Sequence, residues 1–222
     1  MEASTGRSSR QIRRVGTVQR FPQVALASRI SETYTRKMTS LSALPPFEEF
    51  ASISRLSRDM VVTEKLDGTN AQVMVLDDGR VVAGSRNRFI TPTDDNFGFA
   101  RWVAEHEDEL RVGLGIGSHY GEWWGSGIQR RYGLDHKRFS LFNVARWGDD
   151  AVRPKCCHVV PVLLRWTFDT HKVDEVLAQL SASGSVAAAG FMNPEGVVVY
   201  HAASRTLFKK TLDKNDGHKG SV

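Results

Sequence analysis

The sequence predicts an α+β fold of largely antiparallel sheets with flanking helices. Short runs rich in Val, Ile and aromatic residues predict strands, and the turn Asp77-Asp78-Gly79 between two of them is a strong hairpin signal. Two helical stretches do not alternate with the strands in βαβ order, which argues against a parallel sheet. The expected strands lie at about residues 61–65, 71–76, 80–85, 118–124, 139–145, 159–164, 196–200 and 206–212.

Each of the two predicted helices carries one apolar stripe. The first should begin at Thr93, Asp94 or Asp95, which are good N-cap residues, and run to about Leu110. Its stripe consists of Phe99, Val103 and Leu110. The second should span about residues 170–181. Its stripe consists of Val173, Val176, Leu177 and Leu180.

Length and composition indicate one globular domain. The chain has 222 residues, of which 41% are hydrophobic and 25% are charged. No apolar run approaches the ~20 residues that span a bilayer, and no signal-peptide core is present, which predicts a soluble cytoplasmic protein with no membrane partner. The two cysteines, Cys156 and Cys157, are adjacent and lack the spacing of a disulfide framework or a structural zinc site.

The basic charge is concentrated at the N-terminus. Residues 1–42, rich in Ser, Thr and Arg, are predicted to form a disordered basic arm, and residues 43–222 the folded domain. Residues 1–37 hold eight of the 30 Lys and Arg but two of the 25 Asp and Glu, so 22 basic and 23 acidic residues remain from Met38 onward. Because the domain is close to neutral, nucleic-acid binding by it would depend on local basic clusters.

The run TEKLDGTN, residues 63–70, carries the clearest chemical pattern. Residues i and i+2 of an extended segment share a face, so Lys65 and Asp67 should project together, and Gly68 lets the backbone pass close to a ligand. A lysine amine, with a pKa near ~10.4, needs burial or cationic neighbours before it serves as a nucleophile. A hairpin turn with a surface ion pair is the alternative interpretation of the same residues.

KLDGTN resembles motif I, KxDG, of the covalent nucleotidyltransferases, the superfamily of ATP-dependent ligases and mRNA capping enzymes. Further segments resemble later motifs in the same chain order: SRNRFI at 85–90, GEWWG at 121–125, FSLFNV at 139–144, EGVVV at 195–199 and LFKKTL at 207–212. The resemblance covers about residues 50–219 and is closest to the RNA ligase 2 type of RNA ligase. It implies a nucleotidyltransferase (adenylation) domain.

The resemblance also implies a role for each matching residue. Lys65 would attack the α-phosphorus of ATP and carry AMP, and Lys209 would contact phosphate and favour the uncharged amine by like-charge repulsion. Glu195 would bind Mg²⁺. Phe142 would lie on the adenine, with Phe139 as the weaker alternative. The remaining nucleotide-binding candidates are Glu64, at the adenine amino group, Asp67, Gly68, Asn70, Arg86 and Glu122.

Two departures from the family pattern affect these expectations. Motif V in many relatives has two lysines separated by one residue, whereas Lys209 and Lys210 are adjacent here and Thr211 follows. Adjacent residues of a strand face opposite ways, and the parity of Leu207 and Thr211 favours Lys209 for the site. The chain also ends ten residues after Leu212, which leaves no room for a C-terminal OB-fold and suggests that a separate partner clamps the nucleic acid.

These observations predict an ATP-dependent RNA ligase that joins 5′-phosphate and 3′-hydroxyl ends through a lysyl-AMP intermediate. ATP and Mg²⁺ are the implied cofactors, and RNA ends or a nicked duplex the implied partner. The first alternative is the same chemistry on another acceptor, as in a DNA ligase or a capping-type enzyme. The second is a nucleotide-binding or RNA-binding module without turnover.

Overall fold

The computed structural model describes residues 45–213. The basic arm predicted at residues 1–42 lies outside that range, as do residues 214–222. The boundary between two units of the chain lies between Ser52 and Ile53. The described residues of the first unit, 45–52, are exposed and form neither helix nor strand. The helices and strands described below all belong to the second unit.

Ten strands and four helices form within residues 45–213. The strands are β1 Asp59–Lys65, β2 Thr69–Val75, β3 Val81–Ser85, β4 Phe89–Ile90, β5 Gly117–Gly125, β6 Lys137–Leu141, β7 Cys157–Val159, β8 Val162–Thr167, β9 Gly196–His201 and β10 Thr206–Thr211. The helices are α1 Phe99–Glu105, α2 Glu107–Leu114, α3 Val144–Trp147 and α4 Thr170–Ser183.

The strands form two sheets. The smaller sheet has the order β10-β9-β1-β8, and the larger has the order β4-β3-β2-β5-β6-β7. All pairings are antiparallel except that of β6 with β7. The predicted α+β class with largely antiparallel sheets is therefore confirmed. Strands β1 and β2 are consecutive in the chain but lie in different sheets, so residues 66–68 connect the two sheets.

Each sheet buries one face against helices. The larger sheet packs Trp123 and Phe139 against Phe99 of α1 and Leu110 of α2. The smaller sheet packs its apolar face against Val173 and Leu180 of α4; its buried members are Met60, Val62, Val197 and Val199. A third cluster fixes the connection between the sheets, and it consists of Leu66, Trp124, Tyr132, Val160 and Ala188. Apolar burial thus holds the connecting segment in place.

The prediction of one long first helix was wrong. Two helices, α1 and α2, meet at His106, whose φ of −116° is not helical and whose Nδ1 lies 2.8 Å from the Trp102 carbonyl oxygen. Gly98, in the left-handed region, precedes α1, although the Asp95 carboxylate still accepts the Ala100 backbone N–H. The local sequence contains a helical stripe, but the His106 side chain competes for a backbone carbonyl of the last turn of α1.

The other helix and most strands lie near their predicted positions. Asp169 is the N-cap of α4 and accepts the His171 backbone N–H at 2.8 Å. The strand expected at 159–164 is instead divided between β7 and β8, because Pro161 has no N–H to donate to a ladder. No helix within residues 45–213 is long and apolar enough to cross a bilayer.

Candidate active site

Lys65 is the last residue of β1 and lies against a carboxylate from the neighbouring strand. Its partner in the β1–β9 register is Gly196, so Glu195 enters β9 directly beside it. The Lys65 Nζ is 2.6 Å from Glu195 Oε2, and the two side chains are 24% and 15% exposed. Burial raises the pKa of Glu195, and the hydrogen bond from Lys65 offsets part of that rise. The predicted nucleophile therefore lies in a protected ion pair and not on the open surface.

Asp67 is held in the connection between the sheets by two groups. Its carboxylate accepts from Arg130 Nε at 2.9 Å, and its backbone N–H donates to the Tyr132 hydroxyl at 2.8 Å. Burial raises the pKa of Tyr132, so its hydroxyl stays protonated at neutral pH. The two-residue spacing of Lys65 and Asp67 places both in one cluster, as predicted, but Asp67 is engaged by arginine.

Gly68 is required by a close approach of two backbones. A Cβ atom at this position would lie 2.4 Å from the Trp123 carbonyl oxygen and 2.7 Å from Trp124 Cβ. The Gly68 N–H donates to Glu122 Oε1 at 3.1 Å, which brings this β5 carboxylate into the same cluster. The sequence predicted that the backbone at Gly68 passes close to a ligand; in the structure it passes close to strand β5.

Glu122 is the most strongly perturbed carboxylate of the cluster. Burial raises its pKa to about 7, the charge of Lys65 and the Gly68 hydrogen bond oppose the rise, and Glu195 and Asp67 add to it. Its side chain points away from the helix-packed face of the larger sheet, since Trp123 on the opposite face is in the core. This second face carries the candidate site.

Asn70 and Arg86 lie at the same end of the larger sheet as Glu122. Asn70 is the register partner of Glu122 and is exposed on the site face. Arg86 follows β3, one residue beyond the Ala71–Ser85 pair, and is also exposed. It forms no ion pair with another residue of the described range. Both residues are therefore free to contact a ligand.

The aromatic candidates separate clearly. Phe139 is fully buried and packs 5.1 Å from Phe99, ring centroid to centroid, so it belongs to the core. Trp123 and Trp124 are buried as well. Phe142 is 39% exposed. Its backbone N–H donates to the Tyr120 carbonyl oxygen, which extends the β5–β6 pairing by one residue and places the Phe142 side chain on the site face. Of the two predicted candidates, Phe142 is therefore the one available for a base.

Glu64 is not brought into the cluster. It lies on the opposite face of β1 from Lys65 and is buried at 1% exposure. Its carboxylate accepts from the Ser185 hydroxyl and from the backbone N–H groups of Val186 and Ala187, both at 2.9 Å. All of these donors belong to the segment after α4, so Glu64 anchors that segment in this structure. Its predicted contact with adenine receives no support from this arrangement.

The two adjacent lysines of β10 face opposite sides of the smaller sheet. Lys209 pairs with Val198 in the β9–β10 register, and Val198 pairs with Thr63, which shares the face of Lys65. Lys210 lies on the other face, where its Nζ forms an ion pair with Asp174 of α4. The parity argument for Lys209 therefore agrees with the register, and Lys209 is exposed on the site side.

Sequence reasoning missed the central role of Arg130. This side chain is 14% exposed and bonds to Asp67, to the Asn193 side chain at 3.0 Å and to Asp213. It thereby joins the connection between the sheets to the segments flanking β9 and β10. Its loop contains left-handed backbone at three non-glycine residues, Gln129, Arg131 and Tyr132. No spacing pattern predicts this geometry, because it depends on partners that are distant in sequence.

The carboxylates of the cluster fit a metal ion that is held jointly by the protein and a bound phosphate better than one held by the protein alone. Within residues 45–213, no three His, Cys, Asp or Glu side chains converge to hold a metal ion by themselves. Mg²⁺ at phosphate-transfer sites is commonly held by one or two carboxylates together with water and substrate phosphates. Glu195 offers that kind of hard oxygen ligand. Asp67 and Glu122 lie close enough to Glu195 for the charges of these carboxylates to affect one another's pKa values.

Comparison with known proteins places this geometry in a family. The family model described as RNA ligase matches residues 58–212, which is more than half of the chain. No curated protein sequence matches the chain.

Similar solved structures include RNA ligases from Naegleria gruberi. A mutant with ATP and Mn and another with AMP and Mn each have a TM-score of 0.52 at 20% identity, and the protein with PPi has a TM-score of 0.52 at 22% identity. Each alignment covers 76% of this chain and 57% of the other, so this chain spans little more than half the length of those relatives. At such identity the likeness concerns the fold. The extent of the family-model match shows that this chain belongs to the RNA ligase family.

Proposed function

We propose that this protein is an ATP-dependent RNA ligase that joins 5′-phosphate and 3′-hydroxyl ends through lysyl-AMP. The observation that carries the proposal is the half-buried Lys65, 2.6 Å from Glu195 and in one cluster with Asp67 and Glu122. A lone surface lysine would not be surrounded by three carboxylates from three different segments. The order of the matching segments along the chain supports the same conclusion.

In the first step, the Lys65 amine attacks the α-phosphorus of ATP. A P–N bond forms, the bond from the α-phosphorus to the bridging oxygen breaks, and pyrophosphate leaves. The amine must lose a proton, and Glu195 Oε2 is the nearest acceptor. Lys209, on the same sheet face, would neutralise phosphate charge.

In the second and third steps the nucleotide moves to the RNA and is then released. An oxygen of the RNA 5′-phosphate attacks the AMP phosphorus, the P–N bond breaks, and Lys65 regains its proton. The 3′-hydroxyl of the other end then attacks the 5′-phosphate phosphorus, its proton is lost, and AMP leaves. Every bond that Lys65 makes in the first step is broken in the second.

The nucleotide would lie on the second face of the larger sheet. Phe142 offers a ring for the adenine, and Glu122 an acceptor for a ribose hydroxyl. Arg86 offers a planar donor fork for ribose or phosphate oxygens, and Asn70 an amide for phosphate. Glu195 would hold Mg²⁺, which, when bound, supplies positive charge to the phosphates. The ATP, AMP and Mn in the Naegleria structures support these cofactors.

The proposal extends to partner and location. RNA is the proposed acceptor because the matching family is that of RNA ligases. A separate nucleic-acid-clamping partner is also part of the proposal. A cytoplasmic location is supported by two cysteines that are free thiols, as expected in a reducing compartment.

Covalent labelling tests the proposal directly. Purified protein is incubated with α-³²P-ATP and Mg²⁺, and acid-stable label on the protein is measured. We expect label on the wild type, none on Lys65→Ala or Lys65→Arg, and wild-type label on the matched surface variant Lys172→Ala. EDTA and Glu195→Gln should both reduce the label severely. The absence of label on the wild type would refute enzyme activity and favour a binding module.

The same experiment separates the alternative acceptors. Label from GTP and not from ATP would favour a capping-type enzyme. Sealing of nicked DNA duplex in preference to RNA would favour a DNA ligase. We expect ATP-dependent labelling and sealing of RNA.

A further inference from the structure

The site face of the larger sheet carries a row of aromatic side chains beside the catalytic cluster. Gly84 pairs with both Phe89 and Gln72, and Gln72 pairs with Tyr120. The Phe142 N–H to Tyr120 carbonyl bond, 3.0 Å long, extends the row by one strand. Register partners point to the same face of a sheet, so these five residues form one row across five strand positions. The next row contains Asn70 and Glu122.

Three rings of this row are open to solvent. Phe89, Tyr120 and Phe142 are 55%, 58% and 39% exposed. The aromatic contacts of the described residues lie elsewhere and include none of these three rings. The large aromatic residues on the opposite face, Trp123 and Phe139, are buried. Exposed rings aligned on one face, in contrast to scattered single residues, indicate a binding surface.

Between the rings, the sheet surface is polar and carries no bulky side chain. Gly84 has no side chain, and the Gln72 amide lies over it, with a Cβ at Gly84 reaching 3.0 Å from Gln72 Oε1. Arg86 stands beside the row as an exposed cation, whereas nearby Arg88 is neutralised by Asp94. The Gln72 Nε2 donates to Ser118 Oγ at 2.9 Å, so the amide is held in place on the sheet. Flat π-faces and a cation for a phosphate are together the chemistry that binds nucleotides of a single strand.

We propose that Phe89 and Tyr120 stack unpaired bases of the RNA end to be joined, while Phe142 remains with the adenine. This proposal rests on the proposed function and names the substrate class of its site. Three strand spacings separate Phe89 from Tyr120, about 14 Å, so the two rings contact different bases. Bases inside a duplex have their faces covered by their neighbours, whereas exposed sheet aromatics stack bases of single strands. The row therefore favours a single-stranded end over a nicked duplex.

The test uses Phe89→Ala, Tyr120→Ala and the double variant in the full-length chain. Trp166→Ala, an equally exposed aromatic residue on β8 of the other sheet, is the matched control. Binding of a 5′-phosphorylated single-stranded RNA and of a nicked RNA duplex is measured by fluorescence polarisation in a Lys65→Ala background. Lys65 labelling by α-³²P-ATP without RNA is measured in the otherwise wild-type background.

We expect each substitution to weaken single-strand binding by about fivefold or more, the usual effect of removing one stacked ring. Duplex binding and Lys65 labelling should change by less than about twofold, as should all three readouts in Trp166→Ala. Tyr120→Phe, which keeps the ring, should bind like the wild type and shows that loss of the ring, not misfolding, is responsible.

Three outcomes would overturn the proposal. Unchanged single-strand binding in the double variant would remove the stacking role. An equal loss for both RNA substrates would show that the row does not select unpaired bases. A parallel loss of Lys65 labelling would assign the rings to ATP. Failure of the wild type to label with ATP or to seal RNA would instead refute the proposed function. RNA binding is measured in the Lys65→Ala background and does not depend on catalysis, so the two failures are distinguishable.

Discussion

At the residue scale, Glu122 shows how the fold changes the chemistry of one side chain. It is 8% exposed, and burial raises its pKa to about 7. A carboxyl group in water titrates near ~4.3, so at neutral pH Glu122 is close to the midpoint between its charged and neutral forms. A ribose hydroxyl or a metal-bound phosphate beside it would shift that balance, which couples nucleotide binding to a proton.

The raised pKa predicts a pH dependence of stability. Between about pH 4.5 and 7, folded Glu122 keeps a proton that the unfolded chain has lost, so the free energy of unfolding should fall as pH rises through this window. Glu122→Gln stays neutral and keeps an acceptor for the Gly68 N–H. Between pH 4 and pH 8, the free energy of unfolding of the variant, measured with urea, should rise relative to that of the wild type by on the order of 3 kcal/mol. Parallel pH profiles would contradict the raised pKa.

At the element scale, β10 shows how strand parity assigns two adjacent lysines. Lys209 shares a sheet face with Lys65, and Thr211 lies in the same row as Lys65 and Gly196. Lys210 faces α4 and binds Asp174. One lysine of the pair is thus available to phosphate, and the other attaches a strand to a helix.

Substitution of each lysine tests this assignment. Lys209→Ala should reduce Lys65 labelling by about 10²-fold or more, because a cation on the phosphates is lost. Lys210→Ala is the matched control and should leave labelling within a few-fold. Its ion pair with Asp174 is about half exposed, so its removal should cost less than about 1 kcal/mol of unfolding free energy. If Lys210→Ala abolished labelling and Lys209→Ala did not, the assignment would be reversed.

At the scale of the whole molecule, the site exists only where the two sheets meet. Lys65 ends β1 of the smaller sheet and Glu195 immediately precedes β9 of the same sheet, whereas Glu122 belongs to the larger sheet. Two features hold these edges together. The connection at residues 66–68 packs under Trp124, and Arg130, which follows β5, bonds to Asp67, Asn193 and Asp213.

Removing Arg130 should therefore disturb the junction between the sheets. Arg130→Ala should lower the free energy of unfolding by about 1–3 kcal/mol, because partly buried partners lose their hydrogen bonds. It should also slow Lys65 labelling strongly, and Arg130→Lys should restore little, since lysine lacks the planar fork. Asp213→Ala removes only an exposed partner and is the control. Urea unfolding and single-turnover labelling measure both effects, and equal behaviour of Arg130→Ala and Asp213→Ala would contradict this role.

Local pattern was sufficient for much of the fold and for part of the site. Strand alternation, the hairpin turn at residue 79 and the stripe of α4 specified the α+β class, because each depends on neighbours in sequence. The i, i+2 spacing of Lys65 and Asp67, and the parity of Lys209, followed from the twofold repeat of an extended chain. The roles assigned to these residues by resemblance remain predictions.

The sequence by itself determined most of the strands, the helix α4 and the lysine that ends β1. The tertiary structure alone decided that Glu64 anchors the segment after α4, that Arg130 joins three distant segments, and that the exposed rings of β4, β5 and the segment after β6 align in one row. The reason is physical. Except for the β2–β3 and β3–β4 pairings, these contacts join residues from about 20 to more than 120 positions apart, and sequence spacing carries no information on which strands become neighbours in a sheet.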